Sequence, residues 1–259
     1  MMKKTILSVL STLAIVGVVS SIASPATAAG GAALPEQKWS WSGPFGTFER
    51  ASLRRGLQVY AEVCSSCHSL DLMKYRNLSD IGFSDDEVKA FASEYEVEDG
   101  PDDEGEMFDR EARPSDAFVS PFANEQEARA SNGGAMPPDL TLMIKARKGG
   151  PDYLYALLTG YEEDAPEGVE LMDGMNYNHY FPGNQLAMAP PLEDDLMEYA
   201  DGTEATLEQS ARDIVTFLAW TAEPELEERK SLGLKVMIFL VVLTGLLYGV
   251  KRKIWADLH

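Results

Sequence analysis

Cysteine is scarce in this sequence, with two in 259 residues, and histidine occurs only three times. So few thiols exclude a disulfide-built scaffold and a four-cysteine zinc site. Three histidines leave little material for a His-rich metal centre. Positive charge is short as well: 22 Lys and Arg face 42 Asp and Glu, for a formal net charge of −20. That balance argues against a nucleic-acid partner, whose phosphates require a basic surface. A cationic partner or plain solubility suits it. Internal repeats are lacking, and no apolar–polar alternation runs far enough to suggest an extended sheet. What is present is a hydrophobic content of 45%, ordinary for a globular chain.

The two ends carry targeting signals. Residues 1–28 read as a secretory signal: Lys3 and Lys4 precede the apolar stretch Ile6 to Val19, and Ala26-Thr27-Ala28 offers a small-residue cleavage site. The mature chain is expected to begin near Ala29, in an oxidising, extracytoplasmic compartment. Near the C-terminus Val236 to Val250 is free of charge, and Leu232-Gly233-Leu234 extends it behind Lys235. The run approaches the roughly 20 residues that cross a bilayer. Lys251-Arg252-Lys253 follow at once, a positive cluster of the kind that marks the cytoplasmic side. The expected organisation is a cleaved signal over 1–28, an extracytoplasmic domain over 29–228, a membrane anchor over 229–250 and a cytoplasmic tail over 251–259. Between Ala29 and Glu228 stand 14 basic residues against 41 acidic ones, a balance of −27. Acids are densest from Glu94 to Glu111, which reads as a solvated loop that also adds to a negative field able to draw in a basic partner.

Local signals in the outer domain are helical. Leu53, Leu57, Tyr60 and Cys64 recur at the spacing of one helix face. Ser84 with Glu87 predicts a capping box before a short helix through Tyr95. Asp139 is expected to cap a helix ending at Gly149-Gly150, and Asp152 to Leu158 another that stops at Gly160. Thr206 with Gln209 opens a helix carrying Ile214, Val215, Leu218 and Ala222 that ends before Pro224. Phe118 to Pro138 and Tyr161 to Glu193, rich in Gly, Pro and Asn, read as long loops that wrap something.

The sharpest motif is Cys64-Ser65-Ser66-Cys67-His68, a C-x-x-C-H run at the end of the first helix. Two thiols one turn apart can each form a thioether to one porphyrin vinyl group, and the adjacent imidazole then reaches the iron. A dithiol redox site also uses C-x-x-C, but in a βαβ setting where the motif opens a helix. A zinc site would need a further ligand, for which His179 is the remaining candidate outside the membrane. A c-type haem engaged in electron transfer calls for a second axial ligand. Met188, in Gln185-Leu186-Ala187-Met188-Ala189-Pro190-Pro191, has small neighbours that permit close approach and prolines that stiffen the chain; His179 is the runner-up.

Taken in order, these motifs resemble the cytochrome c1 family, the haem subunits of quinol–cytochrome c reductase (the cytochrome bc1 complex). The resemblance spans almost all of the mature chain. It rests on Arg54-Arg55-Gly56-Leu57-Gln58-Val59-Tyr60, the haem motif, Met136-Pro137-Pro138-Asp139-Leu140 and Lys145-Ala146-Arg147-Lys148-Gly149-Gly150. It continues through Asp152-Tyr153, Leu157-Leu158-Thr159-Gly160-Tyr161, Tyr180-Phe181-Pro182-Gly183, Met188-Ala189-Pro190-Pro191 and Trp220-Thr221-Ala222-Glu223-Pro224-Glu225, and closes with the anchor. It implies one covalently bound haem c with Cys64 and Cys67 as thioether links, His68 as proximal and Met188 as distal iron ligand. It places Arg147 and Tyr153 at the haem propionates and Asn132, Pro137 and Pro138 along the haem cleft. Two departures stand out: His179 occupies what is commonly a proline, and the acidic stretch 94–111 has no match in the family at large.

The reading that results is a mainly α-helical, single-haem cytochrome c-type domain with long loops and one C-terminal transmembrane helix. The resemblance implies a one-electron carrier with no bond chemistry of its own, in a dimeric complex in a bacterial inner membrane, the haem domain on the periplasmic side. Its implied partners are cytochrome b, a Rieske iron–sulfur protein as donor and a soluble basic c-type cytochrome as acceptor. The alternatives are a membrane-tethered dithiol–disulfide oxidoreductase and a tethered cytochrome that feeds a terminal oxidase.

Overall fold

The computed structural model describes residues 32–256; the signal segment and residues 257–259 of the tail lie outside them. Seven α-helices are present among these residues: α1 (Arg50–Glu62), α2 (Asp85–Ser93), α3 (Glu125–Ser131), α4 (Met143–Ala146), α5 (Gly150–Thr159), α6 (Leu207–Ala222) and α7 (Leu226–Trp255). Two antiparallel ladders of two strands supplement them: β1 (Glu96–Asp99) with β2 (Phe108–Glu111), and β3 (Asn176–Tyr177) with β4 (Gln185–Leu186).

The core is organised on α1 and α6, the most extensively packed pair, with α4 and α5 also against α6. Leu53, Leu57 and Tyr60 of α1 are buried, as the spacing predicts, with Val59 beside them, against Ile214, Phe217, Leu218 and Trp220 of α6; Cys64 falls just past the helix end. Tyr60 faces Phe217 at 6.1 Å and Phe118 at 6.0 Å, and Phe118 stacks on Tyr75 at 4.6 Å. Each such aromatic contributes about 1.5–3 kcal/mol through burial. At the crossing lies Asp213, fully buried, whose carboxylate accepts from Ser52 Oγ (2.6 Å), Arg55 Nε (2.7 Å) and Gln209 Nε2 (2.9 Å). The guanidinium of Arg55, raised in pKa mainly by that hydrogen bond, balances the buried charge and reaches Asp201 as well. Loss of one partner would strand a charge in the core.

The helices meet so closely because position 56 is glycine. A β-carbon there would lie 2.2 Å from the Asp213 carbonyl oxygen and 2.6 Å from Phe217 Cβ. Backbone cannot yield as a flexible side chain does, so Gly56→Ala must part the two helices. Overpacking of this kind costs about 1–3 kcal/mol, more than the roughly 1 kcal/mol that alanine gains in helix propensity. With misalignment of Ser52 and Arg55 added, the expected result is a Tm lower by about 4–8 °C, measured on the full chain in detergent.

Capping follows the sequence closely for α2 and α6. Ser84 N–H donates to Glu87 Oε2 (2.7 Å) and Ser84 Oγ accepts from Glu87 N–H (3.3 Å); Thr206 Oγ1 accepts from Gln209 N–H (3.1 Å). Helix α5 ends at Gly160 as expected. Two expectations are corrected. Asp139 does not cap a helix running to Gly149; one carboxylate oxygen is spent on Ser69 and Asp71 and the other on Thr141 N–H, and only the single turn α4 forms, with Leu142 at its N-cap. The acidic stretch is not a loop throughout. It folds into the β1–β2 hairpin, where Arg110 joins Asp99 and Asp116 and offsets the repulsion of the surrounding carboxylates.

Helix α7 runs for 30 residues, its apolar side chains from Leu232 to Val250 exposed, and is long and apolar enough to cross a membrane. Its first turns are fastened to the domain. Glu227 accepts from Phe48 N–H (2.7 Å) and Arg50 Nη2 (2.8 Å), and Lys230 Nζ donates to the carbonyls of Trp41 (2.5 Å) and Gly46 (3.0 Å). Glu223, in the three-residue link from α6, pairs with Lys145 (3.0 Å) and Arg229 (3.1 Å).

Candidate haem-binding site

Helix α1 stops at Glu62, and the chain tightens into a 3₁₀ turn over Cys64–Ser66. The Cys64 carbonyl accepts from the N–H groups of Cys67 (3.1 Å) and His68 (2.9 Å), while Ser65 Oγ and Ser66 Oγ donate back to Ala61 O (2.8 Å) and Val63 O (2.9 Å). The serines are thus turned onto the helix end. The cysteines are unbridged thiols, partly exposed. Burial against the core pushes the Cys64 thiol up to about 12, the opposite of what a dithiol nucleophile requires. No cluster of three or more metal-ligating His, Cys, Asp or Glu side chains occurs among the described residues.

His68 is held from two sides. Its Nδ1 lies 2.8 Å from the Pro138 carbonyl, and its own carbonyl accepts from Tyr60 Oη at 3.1 Å. A carbonyl can only accept, so Nδ1 carries the proton and Nε2 presents a free lone pair. Burial lowers the pKa of the ring and so favours this neutral form. An imidazole oriented by a carbonyl at one nitrogen and open at the other is the donor that a haem iron requires, and the two free thiols beside it suit covalent attachment. The residues present therefore fit a c-type haem.

Asp139 locks this proximal side. One carboxylate oxygen accepts from Ser69 Oγ (3.0 Å) and Asp71 N–H (2.7 Å), the other from Thr141 N–H (2.9 Å), and Leu140 N–H donates to the Ser69 carbonyl (2.9 Å). Residues 138–141 are thereby laced to 68–71. Pro138 meets His68 through its carbonyl. Pro137 is half-buried and has no N–H to donate. Asn132 spends its side chain within α3, donating to Ala128 O at 2.7 Å, and makes no hydrogen bond to the motif among the described residues.

Arg147 is exposed, donates to the Ala146 carbonyl at 3.3 Å and, among the described residues, has no carboxylate partner. Tyr153, on α5, is buried, which raises its pKa, while the nearby Arg147 charge pulls the other way. A guanidinium left uncommitted beside a phenol is suited to grip an external carboxylate.

Met188, the expected second ligand, is partly buried and follows β4. Its carbonyl accepts from Tyr161 Oη (3.0 Å) and Asn176 Nδ2 (3.4 Å). Burial raises the Tyr161 pKa above the ordinary phenol range, so the hydroxyl remains a donor. His179 is exposed, its Nδ1 3.8 Å from Glu162 and its ring edge-on to Tyr180 at 4.9 Å. Its ring is thus engaged at the surface. Tyr60, Asp139, Tyr161 and Asn176 carry no motif-level signal for these roles; each acts on a residue remote in sequence or through a main-chain carbonyl.

A family model described as "Cytochrome C1 family" matches residues 39–258. Cytochrome c1 of Rhodospirillum rubrum is 51% identical over 243 residues, covering 88% of this chain and 89% of that protein. The mitochondrial cytochrome c1 heme protein of Saccharomyces cerevisiae is 51% identical over 228 residues, or 88% of this chain and 74% of the relative. Cytochrome b/c1 of Bradyrhizobium diazoefficiens is 50% identical over 246 residues; the match takes in 87% of this chain and 36% of that longer relative.

Proposed function

The chain belongs to the cytochrome c1 family, and on that premise we propose that it takes electrons from a Rieske iron–sulfur protein and passes them to a basic soluble c-type cytochrome. It is an electron-carrying haem subunit of the cytochrome bc1 complex, anchored in the membrane, with one covalently bound haem c. The observation that carries the reading is the His68 ring, fixed through Nδ1 to Pro138 and open at Nε2, beside two unbridged cysteines.

When bound, haem c supplies a one-electron ferrous–ferric couple. The protein supplies attachment, orientation and field. Cys64 and Cys67 would form the thioether links, and His68 and Met188 would supply the iron ligands. Arg147 and Tyr153 would hold the propionates, with Pro137, Pro138 and Asn132 along the cleft. The signal over 1–28 exports the domain 29–228 to the periplasmic side of a bacterial inner membrane. The anchor over 229–250 leaves 251–259 in the cytoplasm, as the cluster Lys251-Arg252-Lys253 favours. Cytochrome b is the membrane partner, and the complex is a dimer.

The −27 balance of the outer domain supports the choice of a basic acceptor. Screening length falls from roughly 30 Å at 0.01 M salt to about 10 Å at 0.1 M. Association between the reduced complex and such a cytochrome should therefore slow by roughly tenfold or more over that range, by stopped flow. Neutralising Asp102, Asp103, Glu104 and Glu106 at the hairpin tip should weaken the dependence only in part, since most acids lie elsewhere. A rate indifferent to salt would overturn the assignment of the acceptor.

A further inference from the structure

We infer that Tyr161, together with Asn176, is a positioning residue for Met188, holding its main-chain carbonyl so that the thioether stays within reach of the iron. The inference rests on Met188 being the distal ligand. The two axial residues differ in what restrains them. His68 adjoins Cys67, so a covalent link fixes the proximal side once haem is attached. Met188 has no such tether. It lies in the short connector of Ala187, Met188 and Ala189 between β4 and Pro190-Pro191, where side-chain hydrogen bonds from Tyr161 and Asn176 reach its carbonyl.

Those hydrogen bonds come from a rigid frame. Tyr161 follows the Gly160 terminus of α5 and bridges to Asn178, placing its hydroxyl 3.0 Å from the Met188 carbonyl. Asn176 is paired with Leu186 in the β3–β4 ladder, and its Nδ2 donates at 3.4 Å to the carbonyls of both Leu186 and Met188. Asn178 is fully buried and joins the frame to α5: Nδ2 donates to Leu157 O (2.8 Å), and Oδ1 accepts from the N–H groups of Tyr180 and Phe181, both at 3.1 Å. Gly160 leaves no slack, since a β-carbon there would lie 2.4 Å from the Tyr180 ring. The end of α5, the ladder and the ligand connector thus move together.

The proximal side provides an internal control. Tyr60 Oη donates to the His68 carbonyl at 3.1 Å, the same chemical contact on a residue held covalently next door. Removing a phenol hydroxyl should loosen ligation only where the hydroxyl is the restraint.

The test is titration of the ferric full chain, in its complex, with imidazole, which competes with the thioether for the distal position. Tyr161→Phe keeps the ring and should bind imidazole about fivefold more tightly, the equivalent of one ordinary hydrogen bond. Its potential should fall as well. Asn176→Ala, a second route should Tyr161→Phe fold poorly, should move both in the same direction. Tyr60→Phe should leave imidazole affinity unchanged, and Tyr161→Phe should add nothing in a Met188→Leu background. Unchanged affinity and potential in Tyr161→Phe, or an equal shift in Tyr60→Phe, would overturn the tether. If Met188→Leu itself leaves imidazole affinity unchanged, the ligand assignment fails and the tether with it.

Discussion

Met188→Leu should lower the reduction potential by an amount on the order of 0.1–0.3 V, part of the roughly 0.8 V over which axial ligands set haem potentials. A thioether is a soft donor that favours ferrous iron, and leucine cannot coordinate. Substitution at this half-buried position costs little packing, because Leu and Met are close in volume. Haem should therefore stay attached through Cys64 and Cys67 while the low-spin methionine signature disappears. One electron follows about 59 mV per tenfold change in equilibrium, so a 0.2 V drop turns forward transfer from a high-potential donor uphill by over a thousandfold. Reduction of the downstream cytochrome should then stop with the domain still folded. His179→Ala should leave the potential nearly unchanged, since its ring is occupied at the surface with Glu162 and Tyr180. Redox titration of both variants checks this. A large drop in His179→Ala with none in Met188→Leu would reverse the assignment.

Replacement of either cysteine should be nearly as severe at an earlier stage. The 3₁₀ turn sets Cys64 and Cys67 three residues apart on one backbone loop, whose carbonyl at Cys64 already accepts two N–H groups. Alanine at either site leaves that loop intact but removes one of the two thioether bonds. The expected result for Cys64→Ala and for Cys67→Ala is a yield of normal holoprotein reduced on the order of tenfold or more, in line with the loss of a structural cofactor link. Acid–acetone extraction followed by haem staining of a denaturing gel measures it. Haem that resists extraction through two thioethers in either variant would contradict the attachment scheme.

Where the sequence was readable, the interactions are local. The apolar face of α1, the caps Ser84–Glu87 and Thr206–Gln209, the Gly160 stop and the C-x-x-C-H spacing each act within a few residues, and each recurs in the structure. The site residues that escaped notice act at long range. Asp139 looks like a helix cap because an acid before a helical stretch often is one; besides the nearby Thr141 N–H, its partners are Ser69 and Asp71, about 70 residues earlier. Asp213 reads as an ordinary polar position of an amphipathic helix, and only the approach of α1 at Gly56 buries it against Arg55. The hairpin from Glu96 to Glu111 contradicts composition outright. Crowded acids disfavour a compact element, yet Arg110, the single basic residue within it, joins carboxylates on both sides and the backbone ladder does the rest. Tyr161 and Asn176 were invisible for another reason: they hold a carbonyl, and every residue has one.

The fastening of α7 bears on how distance is covered. A domain on a slack leash would explore a hemisphere, and its working radius would be set by the length of the leash. Here only Glu223, Pro224 and Glu225 separate α6 from a helix about 45 Å long. Glu227 and Lys230, one turn further on, are bolted to the segment Trp41–Arg50 on the other side of the joint. The result is a mast with its head welded on. These contacts fix the direction in which α7 leaves the domain, so the joint between them is not a slack hinge. For an anchored electron carrier built this way, reach comes from where the helix is planted rather than from play in a linker.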